Sequence, residues 1–367
     1  MAKNITLMGA SYTDVPAVVL PQTGGGTASF TDVTDTTATA SDVAEGKRFF
    51  AADGTEQTGT AVMGGGSDED FKAFIGRSTT NPTLPSDLTT IGGYAFYNYT
   101  NLALTSLPSG ITSIGEHAFQ NCTNLALTSL PNGITSIGYE AFRNCQKLVL
   151  TSLPSGIRSI GDGAFRDCQK LALTSLPDGL TSIGSYAFWG CTDLALTSLP
   201  DNVLTIGTSA FQYCKGITSL SGNCRITIFG SAAFNGNRTN QMQLAHVSLP
   251  NMAVSSLYTV FGSTTAANAC QRLEDADIGS TQSITANAFA NCNKLQTLIL
   301  RKTGSICTLA NVNAFLNTPM RGYNSLSGTI YVPSALISTY QTATNWSTIY
   351  GEGHVTFAAI EGSEYEL

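Results

Sequence analysis

The cysteines are the first residues whose spacing could support chemistry. Five of the nine recur at intervals of 23 residues: Cys122, Cys145, Cys168, Cys191 and Cys214. In stacked repeats their Cα atoms would approach the ~4.4–6.8 Å that a disulfide tolerates, so geometry permits bridging. However, each follows a phenylalanine by three residues, the total is odd, and no convincing signal peptide opens the sequence. We therefore predict reduced cysteines, buried as small apolar side chains.

Histidines, acidic runs and glycine runs give no catalytic or metal site. His117, His246 and His354 have no cysteine or carboxylate at a metal-binding or triad spacing. The acidic runs lack the alternating oxygen donors and the glycine of a calcium loop. No Cys-x-x-Cys pair is present for zinc, and no Lys-Ser/Thr follows a glycine run to bind phosphate. The sequence predicts a protein that is not an enzyme and needs no metal or cofactor.

The elements that position these residues come from an internal repeat. Ala-Phe pairs end at Phe96, Phe119, Phe142, Phe165, Phe188, Phe211 and Phe234, always 23 residues apart. The interval then lengthens, and Phe261, Phe289 and Phe315 follow after 27, 28 and 26 residues. A unit this short cannot bury its apolar face alone, whereas stacked copies form one continuous core. The ten phenylalanines predict a solenoid of about ten turns.

Each unit predicts two short strands and one helical turn. In the unit at residues 125–145, the leucine-rich run that ends at Pro131 is typical of a first strand. Residues 134–137 predict a second strand, closed by Gly138. The rest of the unit, up to Cys145, has the helical spacing of one α or 3₁₀ turn. The predicted fold class is mainly β with short helical turns: a leucine-rich-repeat solenoid of 23-residue units, preceded by a small β-rich N-terminal module.

The unit resembles the leucine-rich repeats of the BspA-like, or Treponema-type, family. The family signature joins an Ile-Pro strand, a Val-x-x-Ile-Gly segment and Ala-Phe-x-x-Cys, and residues 89–216 carry it closely. After the cysteine, this chain has leucine at +3, +5 and +8, where the family has apolar residues at +3, +6 and +8. The inward register of the first strand therefore stays open.

Charge and hydropathy exclude two classes of partner. Only 12% of the residues are charged, and the net charge is −7. Binding to phosphate backbones needs clustered lysine and arginine, so we expect no nucleic acid partner. No run approaches the ~18 apolar residues of a membrane-spanning helix, so we expect no membrane insertion.

The sequence divides into five predicted regions. Residues 1–66 form an attachment or oligomerisation module, and residues 67–88 are a linker and N-terminal cap. Regular 23-residue repeats cover 89–216, irregular longer repeats cover 217–320, and a C-terminal cap covers 321–367.

Local signals in the N-terminal module are few. Ser41 is predicted to cap a short helix through Glu45. Residues 47–50 and 55–58 predict a hairpin around Asp53-Gly54. With few large apolar residues, the module would be marginal alone, which favours docking on a partner or self-association.

Part of this module resembles tail and tail-fibre proteins of phages and prophages of Gram-positive gut bacteria. The similar segments are residues 37–54 and 58–60. In that family such a segment belongs to the virion-attached part, with a variable receptor-binding part beyond it. The resemblance implies a location in the virion tail after assembly in the bacterial cytoplasm. It also implies a phage tail or baseplate protein as partner of residues 1–66, and a homotrimer.

The C-terminal cap has clearer signals. Residues 329–332 predict a last strand, and Ser334 is predicted to cap a helix through about Thr344. The helix carries apolar residues on one face, as a cap over the open end of the core requires. Trp346 is predicted to pack there.

Exposed positions beside Ala-Phe vary most between repeats, whereas Leu-x-Leu-Thr-Ser-Leu-Pro and Ile-Gly barely change. Stacking would align the variable positions into a ridge rich in Tyr, Trp and Arg, the residue types that anchor interfaces. The predicted binding residues are Tyr94, Tyr97, Tyr99, His117, Tyr139, Arg143, Arg166, Tyr186, Trp189 and Tyr213, with Gln120 beside them. Two alternatives stay open. One is weak constraint on exposed turns, and the other is binding through the first-strand face with its Thr-Ser ladder, although the uniformity of that face argues for packing or oligomer contact instead.

Together these features predict a phage or prophage tail-fibre-like receptor-binding protein. Its solenoid would recognise a glycan or protein on the surface of a bacterial host. The alternative is a bacterial BspA-like adhesin, on the cell surface or secreted. Because no signal peptide is recognised, that alternative needs another export route or a leader upstream of Met1.

Overall fold

A computed structural model describes residues 86–236 and 241–367 with Thr80, Asn81 and Leu84, and the backbone of six short strands within residues 3–58. These strands pair as three antiparallel hairpins: Lys3–Leu7 with Ala10–Val15, Val18–Pro21 with Thr27–Phe30, and Arg48–Phe50 with Glu56–Thr58. The last pair confirms the hairpin predicted around Asp53-Gly54. The helix predicted from Ser41 to Glu45 lies outside the described residues.

Seven two-residue strands, one from each turn, stack into a parallel sheet. They are Thr90–Ile91, Ser113–Ile114, Ser136–Ile137, Ser159–Ile160, Ser182–Ile183, Thr205–Ile206 and Ile228–Phe229. Partners such as Ile114 and Ile137 are 23 residues apart, so the period of the sequence sets the register. The second residue of each strand is buried and the first faces outward. Two later strands, Ser283–Ile284 and Thr308–Leu309, pair in the same way. This column confirms the predicted second strand.

The glycine after each strand is required because successive turns approach closely. A Cβ atom on Gly138 would lie 2.7 Å from the carbonyl carbon of Gly115, and one on Gly115 would lie 2.5 Å from the amide nitrogen of Gly93. Backbone atoms cannot give way to such contacts without shifting a whole turn. The contact between turns therefore fixes the Ile-Gly pair of the repeat.

The first strand is regular only in the later turns. There, six parallel strands form a second sheet: Ser219–Ser221, His246–Ser248, Asp275–Asp277, Thr297–Ile299, Gly328–Val332 and Val355–Ala359. In the 23-residue repeats the same column has no regular strand, so that prediction is wrong for them. Adjacent turns there are linked by isolated backbone hydrogen bonds, such as the one that the Ala126 N–H donates to the Leu104 carbonyl at 3.1 Å.

The spacing of the leucines distinguishes the two kinds of turn. After Cys122, the leucines at +3, +5 and +8 are all buried: Leu125, Leu127 and Leu130. In the turn that forms strand Ser219–Ser221, the buried residues are at +3 and +6, namely Ile217 and Leu220. The register left open by the sequence is therefore inward at +3, +5 and +8.

The segment around Ala-Phe forms consecutive turns in the regular repeats, where one α or 3₁₀ turn was predicted. One left-handed residue lies two positions before the phenylalanine and a second lies two positions after it, with φ of 52° at His117 and 62° at Asn121. Alternate N–H groups thus point along the solenoid, and the Phe119 N–H donates to the Ala141 carbonyl of the next turn at 2.7 Å. Stacking satisfies this backbone, so a helix is not needed. True 3₁₀ turns occur at Ala266–Asn268, Val312–Phe315, Pro319–Arg321, Tyr323–Ser325 and Ser334–Leu336.

One column of phenylalanines forms the centre of the core. Its ten phenylalanines, from Phe96 to Phe315, are all fully buried, and nine follow an alanine whereas Phe261 follows Val260. Neighbouring rings stack with centroids 5.1–5.7 Å apart and planes within 2–11° of parallel. Each buried ring contributes ~1.5–3 kcal/mol of hydrophobic free energy, so the column contributes substantially to the cohesion between turns.

The cysteines form a second buried column beside the phenylalanines. All nine are buried, which confirms the predicted burial. The repeated thiols donate to phenylalanine carbonyls of the preceding turn, as Cys122 does to Phe96 at 3.0 Å and Cys168 to Phe142 at 2.9 Å. Burial raises the pKa of Cys122 to about 12, which disfavours the reactive thiolate.

The C-terminal cap closes the core largely as predicted. Strand Gly328–Val332 forms, but it pairs with a later strand, Val355–Ala359, so it is not the last one. The predicted helix begins as a 3₁₀ turn, continues as helix Ile337–Thr342, and is followed by helix Trp346–Gly351. Trp346 is buried with its ring 6.0 Å from Phe315, which confirms its predicted position at the end of the phenylalanine column.

Candidate binding ridge

The ridge consists of the outward side chains around each Ala-Phe pair between residues 94 and 213. Its first row directly precedes the alanine, and it includes Tyr94, His117 and Tyr186, with left-handed φ of 60°, 52° and 57°. Left-handed backbone costs a non-glycine residue roughly 1–2 kcal/mol. Asparagine tolerates it better, and asparagines fill much of the other left-handed row. Bulky side chains in the first row are therefore kept at a cost in stability, which marks the row as a candidate functional surface.

Four aromatic side chains form a cluster at the N-terminal end of the ridge. The ring of His117 stacks on Tyr94 with centroids 4.5 Å apart, and its other neighbours are Tyr139 at 4.9 Å and Tyr97 at 6.4 Å, both edge to face. Tyr94 and Tyr139 remain 40% and 48% exposed. The cluster thus holds two tyrosines in fixed positions with their rings open to a ligand.

Polar groups beneath this cluster fix the histidine. The Nδ1 atom of His117 lies 2.5 Å from Gln120 Oε1 and 3.6 Å from Glu140 Oε2, so both acceptors favour the tautomer with its proton on Nδ1. Glu140 is buried and accepts from Arg143 at 2.8 Å. Arg143 and Glu140 thus compensate each other's charge.

A second cluster lies further along the ridge. The guanidinium carbon of Arg166 is 4.7 Å from the ring centroid of Trp189 and 5.7 Å from that of Tyr186. Trp189 is held by its Nε1–H, which donates to Gln212 Oε1 at 3.1 Å, and by the edge of Tyr213 at 4.9 Å. The cluster therefore combines a cation with fixed aromatic rings.

One acid accompanies this second cluster. Asp167 Oδ2 is 3.7 Å from Arg166 Nε, too far for a hydrogen bond. Burial raises the pKa of the Asp167 carboxyl, whereas the positive charges of Arg166 and Arg143 lower that pKa to a smaller extent. The acid is thus a weak partner for Arg166.

The predicted binding residues lie on this ridge with one exception. Tyr94, Tyr139 and Tyr186 are exposed, whereas Tyr97, His117, Arg143, Arg166, Trp189 and Tyr213 are half-buried. Tyr99 is buried, with its ring edge-on to Phe96 at 5.8 Å, so its predicted place on the surface is wrong. It occupies the cysteine position of the first turn and belongs to the core.

Sequence reasoning missed three polar residues of the ridge. Glu140 occupies the same repeat position as Tyr94 and His117, and Gln212 and Asp167 follow Ala-Phe by one and two residues. Those positions were available as a signal, but nothing in the sequence showed that these polar side chains hold the aromatic ones in place.

Other kinds of site are not found in the described part of the chain. Among residues 86–236 and 241–367, no cluster of histidine, cysteine and carboxylate side chains could hold a metal ion. Within those residues no helix has both the length and the apolar character needed to cross a bilayer. A shallow cleft of about 410 Å³ lies at the N-terminal end, beside Leu84, Leu104 and Pro108, away from the ridge.

The repeat matches a known protein family. The BspA-type leucine-rich repeat region matches in six copies, over residues 70–194, 116–241 and 242–339. No curated protein sequence matches the chain. The matched residues include the whole ridge.

Several solved structures share the repeat. The leucine-rich repeat protein of T. pallidum is 32% identical over 43% of this chain and 76% of that one, with a TM-score of 0.38. A leucine-rich repeat protein from Bacteroides ovatus is 21% identical over 79% and 86%, with a TM-score of 0.38. A leucine-rich cell surface protein from Faecalibacterium prausnitzii is 21% identical over 82% and 95%, with a TM-score of 0.36.

Proposed function

The chain belongs to the BspA-type leucine-rich repeat family, and we propose that its ridge is a recognition surface for a ligand on a cell surface. The observation that carries this proposal is the placement of Tyr and His side chains on left-handed backbone, at Tyr94, His117, Tyr186 and Tyr213. A solenoid without a binding role would gain stability from glycine or asparagine at those positions, as at Gly163 in the same row.

We propose that the protein acts by binding, without a catalytic step. The cysteine thiols are not accessible as nucleophiles, because all nine are buried in the core. Burial raises the pKa of Cys224 to about 11 and that of Cys307 to about 12. On the ridge, His117 faces Gln120 and Glu140 and has no serine or cysteine as a hydrogen-bond partner.

The role that we favour is that of a bacterial adhesin, on the cell surface or secreted. Stacking presents the same ridge positions turn after turn, and such an extended rigid surface fits a polymeric or multivalent ligand. The phage tail-fibre role is a second candidate, supported by the resemblance at residues 37–54 and 58–60. Most of those residues lie outside the described part of the chain, so tail attachment, the homotrimer and the virion location stay predictions.

The test is binding of the labelled full chain to an array of bacterial surface glycans and to whole bacterial cells. Replacing Tyr94, Tyr139 and Tyr186 together with alanine should weaken binding about tenfold or more, since aromatic anchors carry most interface energy. Tyr350→Ala removes a tyrosine of equal exposure, 40%, from the C-terminal cap and serves as the control. Equal binding by the wild type and the triple variant would contradict the proposal.

A further inference from the structure

We propose that Arg166 is the anchor for the carboxylate of an acidic sugar, bound against Tyr186 at the second cluster of the ridge. This inference rests on the proposed function and adds the chemical class of the ligand. It follows from the hydrogen-bonding state of Arg166, its orientation and the character of the surrounding side chains.

The guanidinium of Arg166 has unused donors. Its Nε atom is buried without a hydrogen-bond partner. Across the described residues no side-chain hydrogen bond joins Arg166 to another group, and the contact nearest to an ion pair is the one with Asp167 at 3.7 Å. A guanidinium has five N–H donors in a planar fork that matches a carboxylate.

Other arginines with similar exposure are paired. Arg143 donates to Glu140 at 2.8 Å, Arg301 to Asp277 at 2.7 Å, and Arg321 to Glu352 at 2.6 Å. The exposed side-chain fractions of these three arginines are 33%, 13% and 24%, against 30% for Arg166. Arg166 therefore differs in having no hydrogen-bonded acid, since its nearest carboxylate, Asp167, is 3.7 Å away, and its exposure leaves room for a ligand carboxylate from outside the chain.

The side chain is already oriented for binding. Trp189 lies 4.7 Å from the guanidinium carbon, and Trp189 is itself fixed by Gln212. Holding a cation on an aromatic ring reduces the conformational entropy that binding would remove. The next arginine on the ridge, Arg143, is neutralised by Glu140. The second cluster thus presents a fixed guanidinium whose nearest carboxylate, that of Asp167, is not hydrogen-bonded to it.

The neighbouring side chains favour a sugar over an acidic peptide. The large exposed side chains of the ridge are tyrosines, and Tyr186 beside Arg166 is 42% exposed. An aromatic face attracts the polarised C–H groups of a sugar ring. Amide and carboxyl groups at Gln212 and Asp167 can meet its hydroxyls.

The test uses the full chain and an array of hexuronate and nonulosonate oligosaccharides, each beside its carboxyl-reduced counterpart, with polyglutamate as a peptide probe. Wild type should bind at least one acidic oligosaccharide about tenfold more tightly than its reduced form. Arg166→Gln should abolish that difference, and Arg166→Lys should restore it only in part, because lysine lacks the planar fork. Arg158→Gln removes an exposed positive charge from the strand column and should leave binding unchanged.

Equal binding of acidic and reduced oligosaccharides by the wild type would overturn the inference, as would wild-type affinity in Arg166→Gln with an unchanged melting temperature. Binding to polyglutamate alone would replace the sugar with an acidic peptide and also overturn it. In each of these cases, loss of cell binding in the Tyr94, Tyr139 and Tyr186 variant would show that the recognition ridge itself still holds.

Discussion

The thiol of Cys145 donates to the carbonyl oxygen of Phe119 at 3.1 Å, and this bond joins one turn of the solenoid to the turn before it. Both groups are buried beside the stacked phenylalanine rings. The cysteine position of the repeat thus satisfies a carbonyl that water cannot reach.

Replacing Cys145 with alanine should therefore lower the free energy of unfolding by ~0.5–1.5 kcal/mol, the net value of one hydrogen bond, because the Phe119 carbonyl still accepts from the Cys122 N–H at 3.0 Å. Urea unfolding followed by circular dichroism measures this change. Thr151→Ala, at an exposed position, should change stability by less than ~0.5 kcal/mol. A Cys145→Ala variant as stable as the control would show that the thiol bond contributes nothing.

Stability should fall at alkaline pH. Burial raises the pKa of Cys122 to about 12 from the 9.0 of a free thiol, and that of Cys224 to about 11. The folded state holds these protons more tightly than the unfolded state, so their contribution is complete below pH 9 and is lost as pH rises toward 11–12. Burial also raises the pKa of Tyr340, which acts in the same direction.

Urea unfolding at several pH values tests this dependence. Each buried thiol should contribute a slope of up to about −1.4 kcal/mol per pH unit above pH 9. Cys122→Ala should give a shallower alkaline slope than the wild type. A free energy of unfolding that stays constant between pH 8 and pH 10.5 would argue against buried, protonated thiols.

Gly138→Ala should be strongly destabilising. The new Cβ would lie 2.7 Å from the carbonyl carbon of Gly115 in the preceding turn, so two turns would have to separate. We expect a loss of about 3 kcal/mol or more, at the upper end of overpacking costs. Gly351→Ala is the matched control, because a Cβ there meets nothing within 4 Å. If both variants melt at the same temperature, the turns do not pack as closely as described.

Tyr186→Gly should separate stability from binding. Glycine removes the ~1–2 kcal/mol cost of left-handed backbone at this position, where φ is 57°. Tyr186→Gly should therefore lower the free energy of unfolding less than Tyr186→Ala does. Both variants should lose the aromatic contact with a ligand. Thermal melting and array binding measured on the two variants test this. If Tyr186→Gly binds as well as the wild type, Tyr186 is not part of the recognition surface.

Residues 1–66 are predicted to direct assembly. Light scattering on the full chain should give the mass of a trimer, and a chain that begins at Ser67 should give that of a monomer. This result would favour the tail-fibre candidate, since self-association would then depend on the N-terminal module. Monomers in both cases would favour a stand-alone adhesin.

The repeat made much of the fold predictable. A 23-residue period that returns Ile, Phe and Cys to the same position forces those side chains onto their own images in the next turn, and they are all buried. Stacking also aligns the exposed positions beside Ala-Phe, where the repeats differ, and the ridge was predicted there. Trp346 was predictable as a cap because an open end of such a core needs a large apolar residue.

Tertiary structure decided features that the sequence of a single repeat does not predict. Tyr99 stands at a cysteine position but is aromatic, and only its packing on Phe96 identifies it as a core residue. The turns around Ala-Phe are not helical because N–H groups such as that of Phe119 find acceptors in the next turn. Likewise, Arg143 and Arg166 share one repeat position, yet only the first meets a carboxylate at 2.8 Å. Sequence period determined which residues lie inside, whereas contacts between turns determined backbone conformation and the pairing of charges.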